Sequence, residues 1–161
     1  VMFRNDVIKE YPGWFYESVS GDIPRYVLLA KHGKIGYLSD VMSVYRKNTN
    51  GTSFTDRYDN ADFLNNRIGM YSGINEELDF KFNTRLRKNI GRYYKMMLES
   101  HQYRGHYFKR IPIALKYLSH AQPAWIEKKE IFKNYIIPPF LMKLYSSIVL
   151  LPYKFKVLGR S

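Results

Sequence analysis

The sequence predicts an α/β chain in two parts: a few strands and one short helix over residues 1–55, then a mainly helical, basic tail over 56–161. Three observations predict it. Between Ile35 and Tyr45 the pieces "KIGYL" and "VMSVY" are rich in strand formers. Just ahead of them, "GDIPRYVLLAKHG" carries the start and stop signals of a helix. After Thr55 the apolar residues recur at helical spacing.

Taken in order, Val1–Phe3 reads as the end of a strand and Asp6–Glu10 as a short helical turn, which Pro12-Gly13 in "YPGWF" breaks. Pro24 suits the first turn of a helix running from about Ile23 to His32. Val27, Leu28, Leu29 and Ala30 continue it, Lys31 and His32 place cations at its C-terminus, and Gly33 is expected to close it in a left-handed cap. Ile35–Tyr45 then gives two short strands, or one bent near Ser39-Asp40, and "RKNTNGTSFTD" a loop. From Asp56 to Leu118 the periodic positions are Phe63, Ile68, Tyr71 and Ile74, then Leu86, Ile90, Tyr93, Tyr94, Met97 and Leu98. Gly73 and Gly105 are expected to mark breaks, Pro112 to open the next helix, and Pro123 and Pro138-Pro139 to punctuate the remainder of the chain. There is no repeat at solenoid spacing and no low-complexity segment.

Composition narrows the partners. The chain has 161 residues, 45% of them hydrophobic, which suffices for a core and argues against full disorder. Lys plus Arg is 26 and Asp plus Glu 14, a net charge of 26 − 14 = +12, so anionic partners are favoured: nucleic acid, anionic lipid or phosphorylated substrates. The 15 Tyr and 10 Phe serve a core, or surfaces that meet sugars, bases or interfacial lipid. With no cysteine, disulfides and thiolate zinc sites are excluded. The opening "VMFRNDVIKEYPGW" has no signal-peptide pattern and reads as the interior of a longer chain. No apolar run reaches the ~20 residues that span a bilayer.

The chemistry concentrates at Gly21-Asp22. Gly21 frees the backbone, and Asp22 falls at or just before a helix N-terminus. One role there is an N-cap, worth about 0.5–2 kcal/mol. The other is a general base at the edge of a cleft. The two are compatible, although capping lowers a carboxyl pKa and weakens the base. The histidines suggest no metal set: His101 and His106 are five residues apart and share no helix face, and His32 is a helix-end cation.

The order "VMFRN … GWF … SGDIPRYVLLAKHGKIGYLSDVMSVYRKNTNGTS" resembles the C-terminal part of the catalytic domain of bacterial family 2 glycosyltransferases, of GT-A fold. The similarity covers about Val1 to Ser53. It implies a partial GT-A fold for residues 1–55. It also implies an inverting transfer of sugar from a nucleotide-diphosphate donor to a hydroxyl of a saccharide or lipid-linked acceptor, in cell-surface polysaccharide synthesis. Asp22 corresponds to the family's base, which takes the acceptor proton. Trp14 and Phe15 border the acceptor site, where a ring stacks on a sugar, core burial being the alternative. Arg46 matches the family's Arg after Tyr45 and pairs with diphosphate oxygens or with a structural carboxylate. Where the family often has His, this chain has Asn48, a neutral oxygen ligand. Gly51, Thr52 and Ser53 offer donors to phosphate. The Mg²⁺ or Mn²⁺ of the full-length enzyme belongs to an Asp-x-Asp motif that this sequence lacks, so the piece alone is expected to bind sugar nucleotide poorly and to be inactive. The implied location is peripheral, at the cytoplasmic face of a bacterial membrane.

Two rivals remain. "RLRKNIGRYYKMM" and "HQYRGHYFKR" interleave cations and tyrosines as a nucleic-acid-binding module does, or as the solvated face of a helical bundle does. "NYIIPPFLMKLYSSIVLLPYKFKVLGRS" mixes apolar residues and lysines, as in a segment lying in the headgroup plane or a helix packed on the core.

Overall fold

The computed structural model describes residues 2–4, 6–37, 39–40, 60–138 and 140–141. Of these, 67% are helical and none is in a strand, so the expected α/β partial GT-A fold is not what forms. Ile35, Gly36 and Tyr37 are exposed and unpaired, and Met2–Arg4 is irregular. A strand is held by backbone bonds to a neighbour, and no neighbouring strand exists among the described residues to receive them. The rest of the expected strand region, 41–45, lies outside them.

The α-helices defined among the described residues are α1 (Gly13–Glu17), α2 (Asp22–His32), α3 (Ala61–Glu77), α4 (Asn83–Glu99), α5 (Tyr107–Ala121) and α6 (Trp125–Ile131), the last running into a π-helical turn at Phe132–Ile136. The expected turn at Asp6–Glu10 stays non-helical, and Pro12-Gly13 starts a helix rather than ending one. Proline's fixed φ suits such a start.

The core lies between α3, α4 and α5. Of the periodic positions Phe63, Ile68, Ile74, Ile90, Tyr93, Tyr94, Met97 and Leu98 are buried and Tyr71 and Leu86 half-buried; the buried ones are joined by Leu64 and Met70 of α3, Ile113, Ala114 and Tyr117 of α5, and Ile131 of α6. α3 begins on Asn60, whose Oδ1 accepts the Asp62 N–H at 2.8 Å; Gln102 Oε1 accepts the Ala61 N–H at 2.8 Å. α3 and α4 join through a tight turn in which Asp79 and Phe80 both take positive φ, 48° and 58°. α5 ends at a left-handed Gln122, with Pro123 next, an arrangement that stops a helix.

Three expected punctuation marks fall elsewhere. Gly73 lies inside α3, because its missing Cβ makes room for Trp14: a Cβ there would sit 2.5 Å from Trp14 Cγ and Cδ2. Pro112 lies inside α5 rather than at its start. Gly33 is extended (φ 177°) and not left-handed, so α2 ends without that cap. Gly105, at φ 85°, does mark a break.

α6 and its π-helical turn fold back along α5. Glu127 meets Tyr117, Tyr135 lies under Arg110, and Tyr107 donates its hydroxyl to the Ile136 carbonyl, so the pairing runs antiparallel.

Candidate functional site

The corner formed by α1, the 18–21 connection and the start of α2 is built on α3. Trp14 of α1 is half-buried with its indole against Gly73. Asn66 of α3 holds the connection with both ends of its amide: Oδ1 accepts the Val19 N–H at 2.9 Å and Nδ2 donates to the Glu17 carbonyl at 2.6 Å. Pro24 and Leu28 bury the inner face of α2. At the far end, Lys31 Nζ lies 2.5 Å from Glu77 Oε1. With Val19 tied near the start of α3 and Lys31 near its end, α2 runs alongside α3 in the same direction.

Four of the candidate residues lie on these elements: Trp14 and Phe15 on α1, Gly21 and Asp22 at the start of α2. Asp22 occupies the first turn of α2 and is exposed; the N-cap is Gly21, so Asp22 is not the cap. Among the described residues its carboxylate has no hydrogen bond or ion pair. Gly21 itself is helical in backbone (φ −73°), and a side chain there would meet nothing. Phe15 stacks on Tyr11 with ring centroids 4.2 Å apart and meets Tyr16 edge-on at 5.8 Å. One face of each expected sugar platform is thus already in use, by Gly73 for Trp14 and by Tyr11 for Phe15. Arg46, Asn48, Gly51, Thr52 and Ser53 lie outside the described residues.

Arg25 is the residue that sequence reading missed. One turn along α2 from Asp22, its guanidinium carbon lies 5.9 Å from the ring centres of both Phe3 and Phe15. Its Nε is buried without a partner among the described residues. The signal was the i, i+3 spacing of Asp22 and Arg25, which puts both on one helix face. A carboxylate and a cation on one face, beside a cluster of rings, can handle a polar ligand with an apolar side.

A second cluster is structural. Glu127 Oε1 accepts from Lys95 Nζ at 2.6 Å and from the Tyr117 hydroxyl at 2.7 Å, linking α4, α5 and α6. The hydrogen bonds from Lys95 and then Tyr117 hold the Glu127 carboxyl below its ordinary value. The bond to Glu127 raises Lys95, and burial followed by that same carboxylate pushes the Tyr117 phenol up.

Of the interleaved tyrosines, Tyr93 and Tyr94 are buried in the core, while Tyr103 and Tyr107 are half-buried. Their cationic neighbours lie over rings of this same chain: Arg92 over Tyr93, Lys116 over Tyr94, and Arg110 over Tyr135 at 4.3 Å. An open depression of about 320 Å³, lined by Phe80 to Arg85, sits at the α3–α4 turn, by the end of α3 opposite to the Asn66 clamp, and so is not part of the Asp22 corner. No three His, Asp or Glu side chains converge among the described residues.

Compared with protein-family models, curated proteins and solved structures, the chain matches none.

Proposed function

We propose that this chain supplies the acceptor side of an inverting sugar transfer from a nucleotide-diphosphate donor to a hydroxyl of a saccharide or lipid-linked acceptor. Asp22 is the general base. Its carboxylate takes the hydroxyl proton, the oxygen attacks the anomeric carbon from the face opposite the diphosphate, and the C–O bond to the diphosphate breaks with the electron pair leaving on that group. An alcohol is a poor nucleophile until a base within about 3 Å accepts its proton, which contributes roughly 10²–10⁴-fold.

One observation carries this reading: Asp22 stands exposed on a helix start that is fixed to α3, without the capping bond that would weaken it as a base. Arg25, one turn along α2, and Phe15 beside Arg25 give the acceptor a cation and an apolar edge. The motif order of residues 1–53 supplies the reaction class. The donor half and its metal belong to a longer enzyme of which this chain is a part, acting at the cytoplasmic face of a bacterial membrane. Attachment in this reading is peripheral, as the resemblance implies; among the described residues no helix is long and apolar enough to cross a membrane.

The test is Asp22→Asn in that longer enzyme. Transfer is expected to fall by about 10²–10⁴-fold, with donor binding preserved. Retained turnover sinks the base assignment.

A further inference from the structure

The solvent-facing side of α6 is apolar where a globular helix would be polar. Inward, the segment 125–136 places Glu127 on Lys95 and Tyr117, buries Ile131 and sets Tyr135 beneath Arg110. Outward, Trp125 is 69% exposed, Ile126 75% and Phe132 45%. Lys129 and Lys133 are exposed on the same side, with Glu130 at its edge. Within α6, at 100° per residue, Trp125, Ile126, Lys129 and Glu130 share one arc and Glu127, Lys128 and Ile131 the other; Phe132 and Lys133, at the start of the π-helical turn, are exposed as well. The large apolar side chains are therefore not spillover from the core. They form a separate face with nothing on it among the described residues.

We infer that this face docks on an anionic bilayer surface, lying in the plane of the headgroups. Charge chooses the occupant. Lys129 sits over the Trp125 ring at 5.3 Å, in the middle of the apolar side chains and not at their rim. A protein partner would have to bury that ammonium at the heart of a contact, where lysine is depleted. A headgroup layer takes both parts. The indole and the Ile and Phe side chains sink to the acyl boundary, while the lysines reach up to phosphates. The chain's +12 balance favours the same surface. The exposed apolar character also continues through Ile137, Phe140 and Leu141. This inference deepens the membrane placement proposed above. It does not rest on the transfer chemistry, so its failure would leave the Asp22 test untouched.

The test is flotation of the full chain with vesicles of phosphatidylcholine alone or mixed with phosphatidylglycerol, and quenching by brominated acyl chains. The wild type is expected to float with the anionic vesicles, with quenching of Trp125 and not of Trp14, which lies against Gly73. A triple variant, Trp125→Ser with Ile126→Ser and Phe132→Ser, should float about tenfold less. Replacing Lys129 and Lys133 by Glu should abolish the preference for anionic lipid. Circular dichroism checks that each variant is folded. Triple-variant flotation equal to wild type, or no quenching of Trp125, overturns the inference. So does wild type that ignores vesicles but self-associates through this face, which would make it a protein interface.

Discussion

Trp14 lies with its indole against the bare Cα of Gly73, and this contact seats α1 on α3. It yields a paired prediction on one helix. Gly73→Ala would put a Cβ 2.5 Å from two ring atoms of a half-buried indole. The expected cost is about 1–3 kcal/mol, the range for overpacking a fitted site. One turn earlier, a Cβ at Gly69 meets nothing within 4 Å. Gly69→Ala should therefore stabilise by about 0.4–1 kcal/mol, by restricting the unfolded chain and favouring helix. Urea unfolding of the two variants should move in opposite directions; the same direction for both would refute the Trp14–Gly73 packing.

The same glycine shows where sequence reading stopped. Periodicity found the core faces of α3 and α4, because burial of every third or fourth residue leaves its mark within one stretch of chain. Gly73 and Gly91 gave no local sign of their use. Each is required by a residue far away, Trp14 in one case and Ala121 in the other, whose Cβ would lie 2.7 Å from a Cβ on Gly91. The helix from Ile23 to His32 was legible from its own signals and differs by one residue at its start. The expected strands did not form among the described residues, since a strand is stable only with a partner that local propensity does not supply. At the site, Asp22 was placed correctly at the helix start, whereas Arg25 over Phe15 and the Asn66 clamp are tertiary contacts without a local pattern.

Asp22 gives a prediction that separates chemistry from folding. Its carboxylate is exposed and makes no bond among the described residues. Asn in its place should shift Tm by no more than about 2 °C, since little beyond a screened helix-dipole contact is lost. A large drop in Tm would show that the carboxylate is holding the fold together and would remove the reason to regard it as uncommitted.

The Glu127 cluster sets a pH dependence. A carboxyl held below its ordinary value by Lys95 and Tyr117 contributes stability above its unfolded pKa, and loses it as pH falls through the lowered folded value. Lys95 acts in the opposite direction. Its raised pKa contributes stability below the ordinary lysine value, and that is lost as pH rises through the folded value. With Lys95 and Glu127 side chains 42% and 36% exposed, screening limits the pair to about 0.5–1 kcal/mol. Glu127→Gln should destabilise at pH 7 by about that much, and the deficit should shrink as pH falls through the lowered folded value. Thermal melts across pH test it; a deficit that persists unchanged in acid would rule out the ionic contribution.

Pro112 offers a gain. It sits within α5, exposed, and takes from the Phe108 carbonyl the N–H that an interior residue would give it. Pro112→Ala restores that donor without touching the core, since Ile113 and Ala114 carry the buried face. Stability should rise by about 1 kcal/mol, below the ~3 kcal/mol cost of an interior proline because the native backbone has already adapted. A loss on calorimetric unfolding would mean that the ring is packing against something essential.

Asn66 is the residue through which the fold positions the proposed base. It accepts from Val19 and donates to Glu17, so the connection entering α2 has both a donor and an acceptor satisfied by one side chain on α3. Asn66→Ala leaves both backbone groups to water, and the exposed surroundings keep the cost near ~1 kcal/mol. The local effect should be larger than the global one. The Val19 amide would lose its protection from hydrogen exchange, while the α3–α4 core amides, whose bonds are intrahelical, would keep theirs. Asn66→Asp separates the two bonds. The carboxylate still accepts from Val19 but no longer donates to Glu17, so Val19 protection should survive while the start of α2 loosens. In the longer enzyme both variants should lower transfer without moving donor affinity, because a base displaced by about 1 Å no longer reaches the hydroxyl. If Asn66→Ala leaves Val19 protected and transfer unchanged, Asn66 does not position Asp22, and the other contacts of α1 and α2 with α3 hold the corner.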